Sequence, residues 1–213
     1  MRRVLLIFLS LVLVLVGWTT VCADDGFYVV AGQKAKFAPV PKTGLTTSYE
    51  PKDDGDLEKG VPWPAPRFTD NGNGTVTDKL TGLIWLKNAN RFGLRDYFQA
   101  LSDCNGLASG SGNLADGSKA GDWRLPNLRE LQSLIDYAFY NPALSNTMGT
   151  SKWAQGDPFQ GVQPSNYWSS TTAAEYSGLV WAVNFIRGEL NLPQKPAFEV
   201  VDYCYVWPVR GGK

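Results

Sequence analysis

Residues 68–78 read FTDNGNGTVTD, and they decide how this part of the chain folds. Two Asn-Gly dipeptides stand between residues of high β propensity. Asn-Gly favours the positive φ angles of a tight turn, so the segment predicts a β-hairpin. Residues 81–86, which read TGLIWL, predict the next strand.

Two helices are predicted after these strands. Between residues 97 and 107 an apolar residue recurs every third position, which predicts a helix whose buried face carries Cys104. The stripe consists of Phe98, Leu101, Cys104 and Leu107. A second helix is predicted after Asn127, because Glu130 stands at the spacing of a capping box. Its apolar face consists of Leu128, Leu131, Leu134 and Ile135.

The rest of the chain combines a long irregular stretch with further strands. Residues 138–166 are rich in Gly, Pro and Asn, and a loop of this length tends to be functional. Strands are predicted over 167–172, 179–186 and 200–209, with Pro208 marking an edge or a bulge in the last one. This order of elements predicts an α+β domain with an antiparallel sheet, two helices and long irregular loops.

The first 23 residues have the pattern of a secretory signal. Arg2 and Arg3 precede an apolar run over 4–16, and Val21-Cys22-Ala23 suits cleavage before Asp24. The apolar run is shorter than the roughly 20 residues of a membrane span, so the cleaved chain is expected to keep no stable span. Lipidation of Cys22 and retention of the segment as an anchor are the alternatives.

Residues 24–66 are rich in Pro, Gly and Asp and show no clear periodicity. We expect an extended arm that lies on the following domain or links it to another partner. The predicted organisation is a signal peptide at 1–23, an arm at 24–66 and a domain at 67–213.

Composition excludes several classes of function. The chain has no histidine, which removes imidazole bases, Ser-His-Asp triads and His-bearing zinc sites. After loss of Arg2 and Arg3 the chain has 18 basic and 20 acidic residues, a formal charge of −2, which argues against nucleic acid as a partner.

Cleavage would leave Cys104 and Cys204 in an oxidising compartment, where a bridge between them is the expected state. Such a bridge would close a loop of about 100 residues and stabilise the fold by about 4.7 kcal/mol before strain. Two separate thiols are the alternative.

Several separated motifs resemble one bacterial family. They are residues 68–86, Trp123-Arg124-Leu125-Pro126 with Glu130-Leu131, Tyr167-Trp168-Ser169-Ser170, Trp181-Ala182-Val183 and Val209-Arg210-Gly211-Gly212. The chain is similar over most of residues 39–213 to the exported domain named after the C-terminal domain of the Legionella collagen-like adhesin.

This resemblance implies a C-type-lectin-like fold and adhesion-like ligand binding outside the cytoplasm. In C-type lectins a disulfide ties the first helix to the last strand, which would correspond to Cys104 and Cys204 here. The ligand of the family's namesake is a sulfated glycosaminoglycan. The present chain lacks the collagen-like repeat, and its charge of −2 provides no general attraction for a polyanion.

Calcium is the one metal for which the sequence has candidate ligands. Asp70, Asn71, Asn73 and Asp78 carry the oxygen donors that Ca²⁺ accepts. A hairpin turn explains the same residues without an ion, and the twelfth position counted from Asp70 is Thr81 rather than the glutamate of an EF-hand. Calcium is therefore an option and no other cofactor is expected.

The predicted ligand contacts lie in the irregular segments. Trp153 is the main candidate, because an indole in a loop can stack on a sugar, and Lys152 and Gln155 flank it. Arg187, Gln194 and Lys195 form a second group near the turn before the last strand. Core packing of the indole and solvated turns for the others are the alternatives.

The expected function is an exported, non-enzymatic domain that recognises a glycan or an envelope protein in the periplasm, on the cell surface or in the medium. The alternatives are a structural or assembly component of the envelope and an enzyme. An enzyme would use a cysteine pair, as formylglycine-generating enzymes do, or a carboxylate pair.

Overall fold

The computed structural model describes residues 40–196 and 201–211. The predicted signal peptide lies outside these residues. The helices are α1 (Asp54–Leu57), α2 (Tyr97–Gly106) and α3 (Leu128–Gln132). The strands are β1 (Phe68–Asp70), β2 (Thr75–Asp78), β3 (Ile84–Leu86), β4 (Leu94–Arg95), β5 (Asn166–Thr172), β6 (Val180–Asn184), β7 (Glu189–Asn191), β8 (Cys204–Tyr205) and β9 (Val209–Arg210). No helix in these ranges has the length and apolarity to cross a membrane.

The strands form two sheets, with the orders β1-β2-β3-β9 and β4-β8-β5-β6-β7. Neighbouring strands are antiparallel except β5 and β8, which pair in parallel through Tyr167 and Tyr205. The predicted α+β class is confirmed. The prediction of one antiparallel sheet is wrong, because the strands divide between two sheets.

The Asn-Gly hairpin forms as predicted. In the register of β1 and β2, Phe68 lies opposite Asp78 and Asp70 lies opposite Val76. Gly72 and Gly74 adopt φ angles of 72° and 86° in the turn. A side chain at Gly74 would also collide with the backbone of a neighbouring loop, since a Cβ there would lie 2.5 Å from the Asn113 carbonyl oxygen.

The chain after residue 200 does not form the single terminal strand that was predicted. β8 pairs with β4 and β5 in the five-stranded sheet, whereas β9 pairs with β3 in the other sheet. Pro208, which has no N–H to donate to a ladder, lies between the two short strands. One segment therefore contributes a strand to each sheet.

The five-stranded sheet separates two apolar clusters, as alternate residues along its strands show. Along the last segment Cys204 and Val206 belong to the smaller cluster. Tyr205 and Trp207, which alternate with them, pack in the larger one. Successive side chains of an extended chain point to opposite faces, so this alternation places one cluster on each face of the sheet.

Helix α2 covers the smaller cluster, and its buried face carries Cys104 as predicted, whereas Phe98 of the predicted stripe lies off that face. Tyr97, Ala100 and Cys104 are buried, whereas Phe98 is 54% exposed. The observed spacing of three and then four residues follows the 3.6-residue turn, and a strict spacing of three drifts off that face.

Helix α3 confirms its predicted start. The Asn127 side chain accepts from the Glu130 backbone N–H, and the Glu130 carboxylate accepts from the Asn127 N–H, which forms a full capping box. The helix is only five residues long, so the apolar residues Leu134 and Ile135 are buried in the turns that follow it.

Residues 40–66, the described part of the predicted arm, lie on the domain. Pro41 forms a parallel bridge with Val61, and the Trp63 indole donates to the Lys42 carbonyl at 3.0 Å. The Tyr137 N–H donates to the Thr43 carbonyl at 3.0 Å, which fastens this segment to the chain after α3. The segment also contains the single helical turn α1.

Arg67 is a fully buried cation where this segment meets the hairpin. Its guanidinium carbon lies 4.0 Å from the centroid of the Trp63 ring, and its Nε lies 3.6 Å from the Asp78 carboxylate. Its Nη2 donates to the Ser133 carbonyl just after α3. Arg67 thus joins the arm, the hairpin and the α3 region at one point.

Asp136 is a buried acidic residue beside this cation, with 1% of its surface exposed. Burial raises its pKa to about 6, although the Ala138 N–H and the charge of Arg67 act in the opposite direction. Between about pH 4 and pH 6 the folded protein therefore keeps a proton on Asp136, whereas the unfolded chain has released it.

Cys104 on α2 and Cys204 on β8 are both buried in the smaller cluster. They are free cysteines in this structure, so the predicted bridge is not present in it. Burial raises the pKa of both thiols, that of Cys204 to about 12. The bridge stays a prediction for the exported, oxidised protein.

We expect Asp136→Asn to change how stability depends on pH. A raised carboxyl pKa means that the wild-type free energy of unfolding falls as pH rises from about 4 to about 6, by up to roughly 3 kcal/mol from this group. The variant lacks this titration. Chemical denaturation at several pH values should therefore show the wild type losing stability relative to the variant over this interval. Parallel profiles would contradict the assignment.

The cysteine prediction is tested by counting thiols in the denatured protein isolated from an oxidising compartment, with and without reductant. We expect no free thiol before reduction and two after it. Cys104→Ala should leave one free thiol and lower the free energy of unfolding by about 4 kcal/mol. Two thiols without reductant would show that the bridge does not form.

Candidate functional site

Trp153, the main predicted contact, is held inside the long loop. Its indole is partly buried against the larger apolar cluster. Its Nε1 donates to the Phe159 carbonyl at 3.2 Å, and its backbone N–H donates to the Leu144 carbonyl at 2.8 Å. The indole thus anchors the loop and leaves only part of its surface to solvent.

Lys152 and Gln155 are exposed and also make contacts within the loop. Lys152 Nζ donates to the carbonyls of Tyr140 and Asn141 at 3.3 and 3.0 Å. Gln155 Oε1 accepts from the Gly161 N–H at 3.0 Å. These side chains stabilise the irregular backbone of the loop.

Arg187 lies on the turn between β6 and β7, and 71% of its side chain is exposed. Its Nη1 lies 3.4 Å from Glu189 Oε1. The loop reaches this turn, because the Asn141 N–H donates to the Ile186 carbonyl at 2.8 Å. Since Lys152 bonds to the carbonyl of the same Asn141, the structure brings Lys152 and Arg187 to one region of the surface.

Gln194 and Lys195 lie elsewhere, in the segment after β7. The Gln194 backbone N–H donates to Asp202 Oδ2 at 2.8 Å. Lys195 Nζ donates to Thr172 Oγ1 at 2.9 Å and lies 5.0 Å from the centroid of the Tyr97 ring. The six predicted contacts therefore do not form one site.

The oxygen donors proposed for calcium are engaged in the hairpin region. Asp70 accepts from Lys87 Nζ at 2.6 Å and from the Gly72 N–H at 3.1 Å. Asn71 and Asn73 bond to threonines of β2. Asp78 accepts from the Leu80 N–H and Thr81 Oγ1, next to buried Arg67. A metal site would require at least three acidic or cysteine side chains close together, and the described ranges contain no such group.

A polar cleft of about 230 Å³ opens between the ends of β5 and β7 and the segment that leads into β8. We call it the polar cleft. It is lined by Asn166, Asn191, Leu192, Pro193, Asp202, Tyr203 and Cys204. Of the predicted contacts only Gln194 lies next to it, through its bond to Asp202.

Three asparagines, Asn166, Asn184 and Asn191, form a hydrogen-bonded chain across β5, β6 and β7. Asn166 lies opposite Asn184 in the register of β5 and β6. Asn166 Oδ1 accepts from Asn184 Nδ2 at 2.9 Å and from Asn191 Nδ2 at 2.8 Å. Two members of this asparagine chain, Asn166 and Asn191, line the polar cleft, and Asn184 supports Asn166 from outside the lining.

A backbone amide fixes the orientation of the asparagine chain. The Ile186 N–H can only donate, and it bonds to Asn184 Oδ1 at 2.8 Å. Asn184 therefore presents its Nδ2 to Asn166, which must accept with its oxygen. The amide nitrogen of Asn166 and the amide oxygen of Asn191 keep their hydrogen-bonding capacity for the cleft.

The wall of the polar cleft adds two further groups. Asp202 uses Oδ2 for the Gln194 N–H, so its Oδ1 is a second acceptor beside the Asn191 amide oxygen. Tyr203 is 57% exposed and provides an aromatic ring at the rim. The arrangement combines a donor, two acceptors and an aromatic ring. Burial raises the pKa of the Cys204 thiol, which is therefore a poor nucleophile.

None of the residues that line the polar cleft was a predicted ligand contact, although the sequence contained a signal for this region. Asparagine is disfavoured in strands, and Asn166, Asn184 and Asn191 occupy strand positions. Three such residues on neighbouring strands indicate a polar function for one face of the sheet. Asp202 and Tyr203 carry no comparable signal.

Comparison with known proteins gives one match. The search of curated proteins and the search of solved structures each found no match to the chain. The family model described as the Lcl C-terminal domain matches residues 74–210, which is more than half of the 213 residues and extends from β2 to β9. The match agrees with the resemblance of the sequence motifs, and the chain belongs to the Lcl C-terminal domain family.

Proposed function

We propose that this protein is an exported, non-enzymatic, adhesin-like domain that recognises a glycan through the polar cleft. The observation that carries the proposal is the meeting of Asn166, Asn191, Asp202 and Tyr203 in one open cleft. The family membership supports it, because the family is associated with an adhesin.

The chemistry of the polar cleft suits a sugar. A sugar hydroxyl both donates and accepts, so it pairs best with a surface that offers both kinds of group. The cleft offers the Asn166 amide nitrogen as a donor and the oxygens of Asn191 and Asp202 as acceptors. The CH face of a sugar ring packs well on an aromatic ring such as Tyr203.

The proposed fold is C-type-lectin-like. Two helices, α2 and α3, precede the main group of strands, and a long irregular segment follows α3. Cys104 on α2 and Cys204 on β8 lie in one apolar cluster, which supports a bridge from a helix to a strand near the C-terminal end, as this fold implies. Export is part of the same proposal, supported by the signal pattern of residues 1–23 and by the family.

Binding without catalysis is supported by the state of the reactive groups. Burial raises the pKa of Cys104 and Cys204, so neither thiol is a ready nucleophile. Among the described residues that line the polar cleft there is one carboxylate, whereas acid–base hydrolysis of a glycoside generally uses a pair.

The proposal is tested by screening the purified protein against an array of glycans and of envelope proteins, with calcium present and then chelated. We expect glycan binding that survives chelation, because the binding groups of the cleft are amides, a carboxylate and a ring. Tyr203→Ala should weaken that binding about tenfold through loss of the stacking surface.

The matched control is Tyr176→Ala, which removes another tyrosine of similar exposure, 51%, that does not line the cleft. An equal loss of glycan binding in both variants would argue that the polar cleft is not the binding site. A folded protein that binds no glycan and co-purifies with envelope proteins would support an assembly role instead.

A further inference from the structure

We infer that the polar cleft selects uncharged, hydroxyl-rich sugars over sulfated or carboxylated glycans. This inference rests on the proposed function and goes further by naming the class of ligand. It follows from the charge of the cleft and from the hydrogen-bonding capacity that its side chains retain.

The charge of the polar cleft is the first step. Among the seven residues of the described ranges that line it, Asp202 is the one charged side chain. A sulfate or carboxylate placed in the cleft would lie beside this carboxylate without a lining cation to offset the repulsion. An uncharged hydroxyl meets no such repulsion and can donate to Asp202 in a charge-assisted hydrogen bond.

The basic side chains near β5 to β7 are committed elsewhere. Lys195 Nζ bonds to Thr172, at the opposite end of β5 from Asn166. Arg187 lies on the β6–β7 turn, with Glu189 3.4 Å away. Neither residue lines the polar cleft. Neither Lys195 nor Arg187 is therefore placed to neutralise an anionic sugar in the cleft.

The fixed order of donor and acceptors is the second step. The Ile186 N–H orients Asn184, which in turn orients Asn166 and leaves the Asn166 amide nitrogen for the cleft. Asn191 uses its amide nitrogen for Asn166 and Asp202 uses Oδ2 for the Gln194 N–H, so the Asn191 amide oxygen and Asp202 Oδ1 are left as acceptors in the same cleft. Two adjacent hydroxyls of a sugar ring can accept from the first group and donate to the others, whereas a sulfate can only accept.

The experiment compares the affinity of the purified protein for uncharged oligosaccharides, ending in hexose or N-acetylhexosamine, with its affinity for sulfated and uronate-containing polysaccharides. We expect the uncharged class to bind more tightly, with little change between low salt and about 0.5 M salt, because no ion pair is broken. This comparison needs no variant and does not depend on the folding of one.

Asn166→Asp is the sharpest variant. An aspartate there can still accept from Asn184 and Asn191, so the asparagine chain is kept, but the donor that faces the cleft is lost. We expect about tenfold weaker binding of the uncharged sugar by a variant that still unfolds cooperatively, because the new carboxylate costs some stability beside Asp202 but keeps the asparagine chain.

Asp202→Ala should weaken the same binding about tenfold. Its matched control is Asp122→Ala, because Asp122 also accepts one backbone N–H at 2.8 Å, from Lys119, and lies outside the cleft. The control should bind as the wild type does.

Three outcomes would overturn the inference. Tighter, salt-sensitive binding of sulfated or uronate-containing glycans that Tyr203→Ala weakens would leave the proposed function in place and refute the class of ligand. Binding of uncharged sugars that neither Asn166→Asp nor Asp202→Ala weakens would place them at another surface. Binding of no glycan of either class would refute the proposed function together with the inference.

Discussion

The burial of Arg67 is the constraint around which this domain is arranged. A cation without access to water must be surrounded by groups that offset its lost hydration. The structure supplies the Trp63 ring from the arm, Asp78 from the hairpin and a carbonyl at Ser133 after α3. The arm, the hairpin and the chain after α3 are thereby brought to one place, although Ser133 is 66 residues from Arg67. Removing the cation would leave two acidic groups, Asp78 and Asp136, without their neighbour in an apolar setting.

The five-stranded sheet relates this core to the polar cleft. One face of the sheet packs on the larger apolar cluster, and the other packs on α2 and the smaller cluster. Beyond the smaller cluster the same strands carry Asn166, Asn184 and Asn191. The backbone register that buries Trp168 is thus the one that aligns the asparagine chain. Two of the proposed contacts, Asn166 and Asn191, lie on strands β5 and β7 rather than on loops, which favours a preformed site.

Local features were predictable from the sequence because local physics determines them. The Asn-Gly turn needs positive φ angles, and the capping box of Asn127 and Glu130 needs only a spacing of three residues. The two-sheet arrangement depends on long-range contacts, such as the bond from the Trp207 indole to the Leu86 carbonyl across 121 residues, and no local pattern encodes it. The cleft was missed for the same reason, since its asparagines meet only once the strands are in register. Trp153 was predicted to be available for a ligand, but its indole N–H donates to the Phe159 carbonyl. No local pattern predicts that bond, because it depends on the conformation of an irregular loop.

The segment from Cys204 to Arg210 has a consequence for how the protein is made. It supplies the neighbour of β4 and β5 in one sheet and the neighbour of β3 in the other, and it follows every other described element along the chain. Neither sheet can close until this segment is available. A chain whose segment from Cys204 onward is not yet available therefore has two incomplete sheets and no finished core. Under the proposed export, the late arrival of this one short stretch would delay the final collapse until the polypeptide has crossed the membrane.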